Sequence, residues 1–435
     1  MKWIEVIKSK PLKGNITVPG SKNSSLGLLA ASCLASEPVI LKNIPDILDF
    51  RTIIEIAKDI GLKICVGQNS IIVDPTKINS AVIDSKKSAA FRASYYFIGA
   101  LLAKFKRVTI GKPGGDNFNS RPIDQHIKGL KALGAKIEFF NDYYYVEADK
   151  LIGNDIFFNL PSTGATINLL LTAVLAEGTT VLHNSARDPE VTDVAVFLTK
   201  MGAKISGIGT STITIEGVKE LHGCTHSAIP DRLTAGAFLM SAGITNGVVT
   251  VNNIIPEHLS ACTNKLIAAG LGIEIGDDYI TAFSQGPFIG INVKTENYPG
   301  FGTDFQQPLT AMLTKAKSMS IIVDNIFPER FNNCYQLNRM GANITISKGH
   351  IVIPGNSTLI GGTVEASDVR AGVCLILAGL VAEGVTRITG VEHIERGYED
   401  VIRDFSSLGA NLKLREDTNG IDLQLQKVAN FRSAE

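Results

Sequence analysis

Six residues pose the first chemical question. Lys22, Arg92, Ser162, Arg232, Asp304 and Arg370 recur at intervals of about 70 residues, each at the start of an apolar segment with helical spacing. A serine or an aspartate at a helix start is an ordinary cap. A lysine or arginine there opposes the positive end of the helix dipole and is not chosen for stability. Lys22, Arg92 and Arg370 therefore point to an anion, because a negative group held between cation and helix amides resolves the conflict. If the segments fold alike, two facing domains aim six such helix starts at one cleft.

The elements that position these residues repeat along the chain. Apolar residues, a glycine and a strand-like run recur as IGLKICV, LGAKIEF, MGAKISG, AGLGIEI, MGANITI and LGANLKL. Their glycines, Gly61, Gly134, Gly202, Gly270, Gly341 and Gly409, stand where a helix pattern stops and a strand pattern begins, the place of a C-cap. A second strand-like motif recurs as EPVILKNI, KRVTIGK, EGTTVLHN, NGVVTVNN, SMSIIVDN and EGVTRITG. The segment before each, such as TINLLLTAVLA, is apolar nearly all round, which predicts helices buried inside a layered unit. Six units of two helices and several strands thus account for the chain, with three per domain the natural division.

Composition narrows the function classes. The 435 residues exceed one ordinary core, and 42 basic against 42 acidic residues leave no net field to attract a polyanion, so nucleic acid is excluded as a partner. The start MKWIEVIKSK lacks the apolar stretch of a signal peptide, and the apolar run Ala371 to Ala382 is too short to span a bilayer. A cytoplasmic protein without a membrane partner is expected. The cysteines Cys33, Cys65, Cys224, Cys262, Cys334 and Cys374 are scattered without zinc-ligand spacing, and are expected to be reduced core thiols. Neither GxGxxG nor GxxxxGK[ST] occurs, so no cofactor and no metal are expected.

Eight ordered motifs carry a resemblance over almost the whole chain. They are PGSKNSS (Pro19 to Ser25), FRAS (Phe91 to Ser94), PGG…SRPIDQHIKGLKALGA (Pro113 to Ala135), PSTGAT (Pro161 to Thr166), IPDR (Ile229 to Arg232), PGFGTDFQ (Pro299 to Gln306), ASDVRA (Ala366 to Ala371) and HIERGYE (His393 to Glu399). Together the chain resembles the UDP-N-acetylglucosamine enolpyruvyl transferases of peptidoglycan synthesis. The resemblance implies an α/β protein, a two-domain inverted α/β barrel of six similar units with helices inside and sheets outside. Residues 21–229 would form one three-unit domain carrying a mobile loop at 112–122, and residues 1–20 plus 230–435 the other. The implied substrates, phosphoenolpyruvate and UDP-N-acetylglucosamine, meet between the domains, in a monomer or weak homo-oligomer. The related shikimate-pathway enzymes follow the first lysine with serine, and Asn23 argues against that assignment.

Residue roles follow motif by motif. The resemblance implies that Lys22, Arg121, Arg330, Arg370 and Arg396 surround phosphate and carboxylate, a task suited to the bidentate fork of arginine. Asp304 matches an aspartate near the reacting sugar hydroxyl, where a carboxylate accepts a proton. Asp368 matches an acid that assists proton transfer to the methylene carbon. Asn23 and Arg121 orient the sugar, and Arg92, Pro122, Ile123, Asp124, Gln125, Ser162, Thr163, Gly164 and Ile326 complete the substrate-binding set.

The informative departure is Asp116, which stands after Gly114-Gly115 where the family usually has cysteine. A carboxylic acid donates a proton to the substrate's methylene carbon in place of the thiol once closure desolvates it and raises its pKa. It forms no thioether with the epoxide fosfomycin, so an active but fosfomycin-insensitive enzyme is expected. Phe118, Asn119, Gln125 and Thr234-Ala235 also depart from the usual residues and leave the acceptor open to another uridine nucleotide such as UMP. A silent nucleotide-binding paralogue is the alternative of another class; the retained set Lys22, Arg121, Asp304, Arg370 and Arg396 argues against it.

Overall fold

The computed structural model describes residues 1–67, 70–90, 92–112, 114 and 122–416. The six predicted C-cap glycines each close the second helix of a unit with φ between +89° and +106°, a region that side chains with a Cβ avoid. A strand follows each. At the far end of the unit an asparagine makes the matching turn. Asn43, Asn184 and Asn253 adopt φ of 55–56° and donate their side-chain amides to the carbonyls of Ala228, Phe158 and Val18 at 2.8–2.9 Å. Asparagine tolerates this left-handed turn and adds a hydrogen bond that glycine lacks.

Among the described residues the strands form six four-stranded sheets, each with one parallel and two antiparallel pairings. Three strands come from outside the unit they complete. Lys2–Ile7 lies between Val385–Thr389 and Asn411–Glu416, Lys13–Thr17 flanks Val248–Asn252, and Thr225–Ser227 flanks Val39–Lys42. The helices that the sequence marks as apolar all round lie inside, and every residue of Arg232–Thr245 is buried. Tyr96–Phe105 packs on Thr163–Ala173, while Thr303–Leu313 packs on both Arg232–Thr245 and Val369–Gly379. A Cβ on Gly99 would fall 2.3 Å from the backbone oxygen of Asn168, so glycine is what lets the first of these pairs approach.

The apolar interior divides in two. One core runs from Leu26 to Ala228, and the other joins residues between Ile4 and Val18 to residues between Leu233 and Leu412. Two crossing strands link them. Gly20 bridges Pro230, Ser21 N–H donates to Ile229 at 2.7 Å, and Asp231 N–H donates to Pro19 at 2.9 Å. No side chain fits at Gly20, where a Cβ would meet the Asn43 carbonyl at 1.7 Å.

The expectation of six core thiols is corrected for two cysteines. Cys33, Cys262, Cys334 and Cys374 are buried, but Cys65 is exposed on the outer strand Lys63–Val66 and Cys224 is half-buried at a sheet edge. Both lie in sheet margins rather than the helical interior. Among the described residues, no helix is long and apolar enough to cross a membrane.

Asp231 serves both cores. Its Oδ1 caps the Arg232 helix through the amides of Leu233 and Thr234, both at 2.9 Å, while Oδ2 accepts the amide of Lys22 at 3.2 Å. Loss of such a cap costs about 1–2 kcal/mol. Asp231→Ala is therefore expected to lower the urea midpoint with an unchanged slope, and Asp231→Asn, which retains the capping oxygen, to recover part of it. An Asp231→Ala midpoint equal to that of the parent would show that the cap carries no such load.

Candidate active site

Ser21 caps the helix Lys22–Ser32, accepting the Ser24 amide at 3.4 Å, and so presents Lys22 at its first position. The Lys22 ammonium lies 2.6 Å from Oδ2 of Asp49. Arg396 reaches the same carboxylate from the other core, with Nε 2.7 Å from Oδ1 and Nη2 3.3 Å from Oδ2. Asp49 is 4 % exposed in the first turn of the helix Leu48–Asp59. Burial, the largest single influence, pushes its carboxyl up, but Lys22 and Arg396 together hold it below the ordinary range. It is an ionised bridge between two cations that are 374 positions apart in the chain, Lys22 and Arg396. Sequence reasoning missed Asp49, because an acidic residue in a first helical turn is what the dipole favours anyway.

A second cluster surrounds Asp304. Arg330 donates from Nη1 to Asp304 at 2.6 Å and from Nη2 to Asp368 at 3.4 Å. Far from being an exposed loop arginine, Arg330 is 4 % exposed. Asp368 caps the helix Val369–Gly379 through the amides of Arg370 at 2.9 Å and Ala371 at 3.3 Å, and it accepts Nε2 of Gln307 at 3.3 Å. Asp304 is no cap, since Gly302 occupies that position, and its carboxylate is free to face the cluster from the first turn. Burial acts most strongly and pushes the Asp304 carboxyl up, yet Arg330 and Arg370 outweigh it and hold the group well below the usual carboxylate range. Arg370 is buried, and its Nη1 has no hydrogen-bond partner among the described residues. Such a donor is costly unless something arrives to accept from it.

Arg232 resolves its dipole conflict internally. Its Nε and Nη2 meet Glu190 at 3.1 and 3.2 Å, and Nη2 meets Asp188 at 3.4 Å, so its charge is already matched across the two cores. Glu190 and Asp188 gave no sequence signal, as the first-turn acid and the N-cap of the helix that opens at Pro189.

A third group gathers around the helix Thr163–Ala173. Ser162 caps it through the Ala165 amide at 3.3 Å, leaving Thr163 and Gly164 at its open end. Arg92, on a single tight turn rather than an α-helix, lies 5.2 Å over the Tyr95 ring and donates to the Pro122 carbonyl at 3.5 Å. Ile123 and Asp124 open the helix Asp124–Ala132. Gln125 turns its amide inward, accepting Asn159 N–H at 2.9 Å and donating to Asp124 at 2.5 Å, so it braces the wall of this group. Ile326 is half-buried in a turn built by Asp324, whose Oδ1 takes the amides of Ile326 and Phe327 at 3.0 and 2.9 Å and whose Oδ2 takes the Thr303 hydroxyl at 2.7 Å. Asn23 is half-buried beside Lys22. Asp116 and Arg121 lie outside the described residues, as do Phe118 and Asn119.

What this arrangement offers is several buried cations, ionised carboxylates and three capped helix openings, with no three-residue metal cluster among the described residues. The model of the family EPSP synthase (3-phosphoshikimate 1-carboxyvinyltransferase) matches residues 6–405. A UDP-N-acetylglucosamine 1-carboxyvinyltransferase 2 of Geobacillus kaustophilus is 43% identical over 99% of this chain and 100% of its own length. A UDP-N-acetylglucosamine 1-carboxyvinyltransferase of Clostridium botulinum is 46% identical over 95% of this chain and 99% of its own. The crystal structure of the enolpyruvyl transferase NikO from Streptomyces tendae superposes with a TM-score of 0.86 at 23% identity, covering 95% of this chain and 98% of that one, a likeness of fold. The sixfold repeat, the paired cores and these relatives agree: the chain belongs to the EPSP synthase family of enolpyruvyl transferases, among its UDP-N-acetylglucosamine 1-carboxyvinyltransferase-type members.

Proposed function

We propose that the protein transfers the enolpyruvyl group of phosphoenolpyruvate to the 3-hydroxyl of UDP-N-acetylglucosamine, releasing phosphate, as a cytoplasmic enzyme of peptidoglycan precursor synthesis. The observation that carries this reading is the Asp49 carboxylate, which draws Lys22 and Arg396 together from separate cores. In the proposed division, residues 21–229 and residues 1–20 plus 230–435 are two domains that close on the substrates. Closure would set these two cations, with Arg121, around a phosphate and a carboxylate.

The chemistry needs one proton removed and one supplied. The sugar oxygen bonds to C2 of phosphoenolpyruvate as its proton passes to a base, and C3 takes a proton to become a methyl group. The resulting tetrahedral adduct then loses phosphate as a C3 proton leaves, restoring the double bond. Asp304, whose carboxylate faces the cluster beside Arg330, is the proposed base. Asp116 is the proposed donor to C3. Asp368, already committed to Arg330 and a helix end, assists by holding that arginine in place.

Phosphate release with phosphoenolpyruvate and UDP-N-acetylglucosamine, with the nucleotide product weighed by mass spectrometry, tests the whole. The mass of an added enolpyruvyl group is expected; turnover with UMP alone would move the acceptor, and no turnover with either would end the proposal. Asp49→Ala leaves Lys22 and Arg396 without their shared counter-charge, and kcat/KM for phosphoenolpyruvate is expected to fall by at least about tenfold, or roughly 1.4 kcal/mol. An unaltered value would remove Asp49 from the site. Because Asp116 offers no thiol, activity is expected to survive prolonged incubation with fosfomycin, and time-dependent inactivation through residue 116 would contradict the assignment.

A further inference from the structure

Asp193 belongs to no step above. It lies on the helix Pro189–Lys200, 4 % exposed, and donors from three different segments converge on its carboxylate. The Ser24 hydroxyl donates to Oδ2. The Ile229 N–H donates to the same oxygen at 3.3 Å, and Nε2 of His226 lies 2.8 Å from Oδ1. The role of that imidazole is settled on its far side, where Nδ1 is 3.1 Å from the Lys200 ammonium, a group that only donates. Nδ1 therefore carries the lone pair, and the ring proton on Nε2 points at Asp193. The Phe197 ring packs against the imidazole at 5.3 Å.

Serine, aspartate and histidine in one place suggest a nucleophile, but the order is wrong. Ser24 donates to the carboxylate instead of to the imidazole, so the imidazole is not its base and the group is no hydrolytic triad. What the carboxylate does is close a ring. The Ser24 N–H donates to Ser21 Oγ at 3.4 Å, the Ser21 N–H donates to the Ile229 carbonyl at 2.7 Å, and the Ile229 N–H returns to Asp193. Ile229 is thereby held at both its backbone groups, next to the crossing of the chain at Pro230, and Ser21 is the cap that presents Lys22. Further along the same helix a Cβ on Gly27 would lie 2.7 Å from a Val194 methyl, so the helices Lys22–Ser32 and Pro189–Lys200 touch closely beside the ring. An asparagine at 193 would offer one oxygen to three donors and turn its own NH2 against one of them. Lys200 reaches the carboxylate through the imidazole, not directly, and a buried charge held in this way is a poor device for stability.

We infer that Asp193 is a positioning residue for the transfer reaction: it fastens the crossing segment at Ile229 to the helix that presents Lys22, so that closure of the domains carries the Lys22 ammonium with it, and His226 in turn holds Asp193. This rests on the enolpyruvyl-transfer reading of the preceding section.

The full-length protein and its Asp193→Asn variant are compared by phosphate release, with urea midpoints measured alongside. At saturating UDP-N-acetylglucosamine, kcat/KM for phosphoenolpyruvate is expected to fall by about tenfold or more, while KM for UDP-N-acetylglucosamine stays within about threefold. His226→Gln keeps an N–H near the Nε2 position and is expected to retain most of the activity that His226→Phe loses. Should Asp193→Asn fail to fold, this second pair and nitrogen-15 spectra of the parent with labelled histidine decide the matter. The His226 ring should show a proton on Nε2 and a lone pair on Nδ1. The opposite tautomer, an Asp193→Asn protein with unchanged kcat/KM for phosphoenolpyruvate, an equal loss toward both substrates with a lowered urea midpoint, or a His226→Gln protein no more active than His226→Phe would each overturn the inference and leave the enzymatic reading intact. A parent protein without turnover would instead overturn that reading, and this one with it.

Discussion

One buried carboxylate between two cations holds the site in register. Lys22 and Arg396 belong to different cores, and in a medium of low dielectric their like charges would drive the two halves of the molecule apart. Asp49 reverses the sign of that interaction at 2.6 and 2.7 Å. Its own ionisation depends on the same two partners, since burial alone would favour the neutral acid. The three groups are therefore stable only together. A ligand that brought its own negative charges would compete with Asp49 for both cations, a natural link between binding and the relative placement of the cores.

The repeat explains why such a junction exists. Each unit brings an apolar helix into the interior and opens it toward the centre, and each opening has amides to satisfy. The six units meet that demand in different ways. Ser21, Ser162, Asp231 and Asp368 cap with side-chain oxygens, and Lys22 and Arg370 add a cation beside two of those capped ends. Arg232 finds its counter-charge across the cores, in Glu190 and Asp188. Lys22 and Arg396 share Asp49, and Arg330 meets Asp304 and Asp368. The departure from repetition, rather than the repetition, marks the functional residues.

Much of this was legible in the chain. The period of about 70 residues, the C-cap glycines and the apolar helices are local signals, and each appears in the fold where the pattern puts it. The cations Lys22, Arg330, Arg370 and Arg396 were legible through motifs, although their burial was not. What the sequence hid is the partner of each. Asp49 and Glu190 stand second in their helices and Asp188 at an N-cap, places where acids are commonplace. Their meaning comes from contacts such as Arg396 with Asp49, which are separated by 347 positions. Gln125, a departure in a substrate motif, gave no sign in the sequence that its amide joins Asn159 and Asp124.

Charge distribution, finally, matters here more than charge balance. The chain as a whole is neutral, which removes any long-range attraction for an extended polyanion. Within the site, however, Lys22, Arg330, Arg370 and Arg396 meet Asp49, Asp304 and Asp368, a surplus of positive charge that is buried and directional. A buried surplus of this kind cannot be screened by salt as a surface patch is. It favours a ligand small enough to enter and charged enough to replace the lost hydration, and it disfavours one that must stay outside. Selective recognition of a compact anion rests on that local charge, with the protein's own carboxylates bridging the cations until the anion arrives.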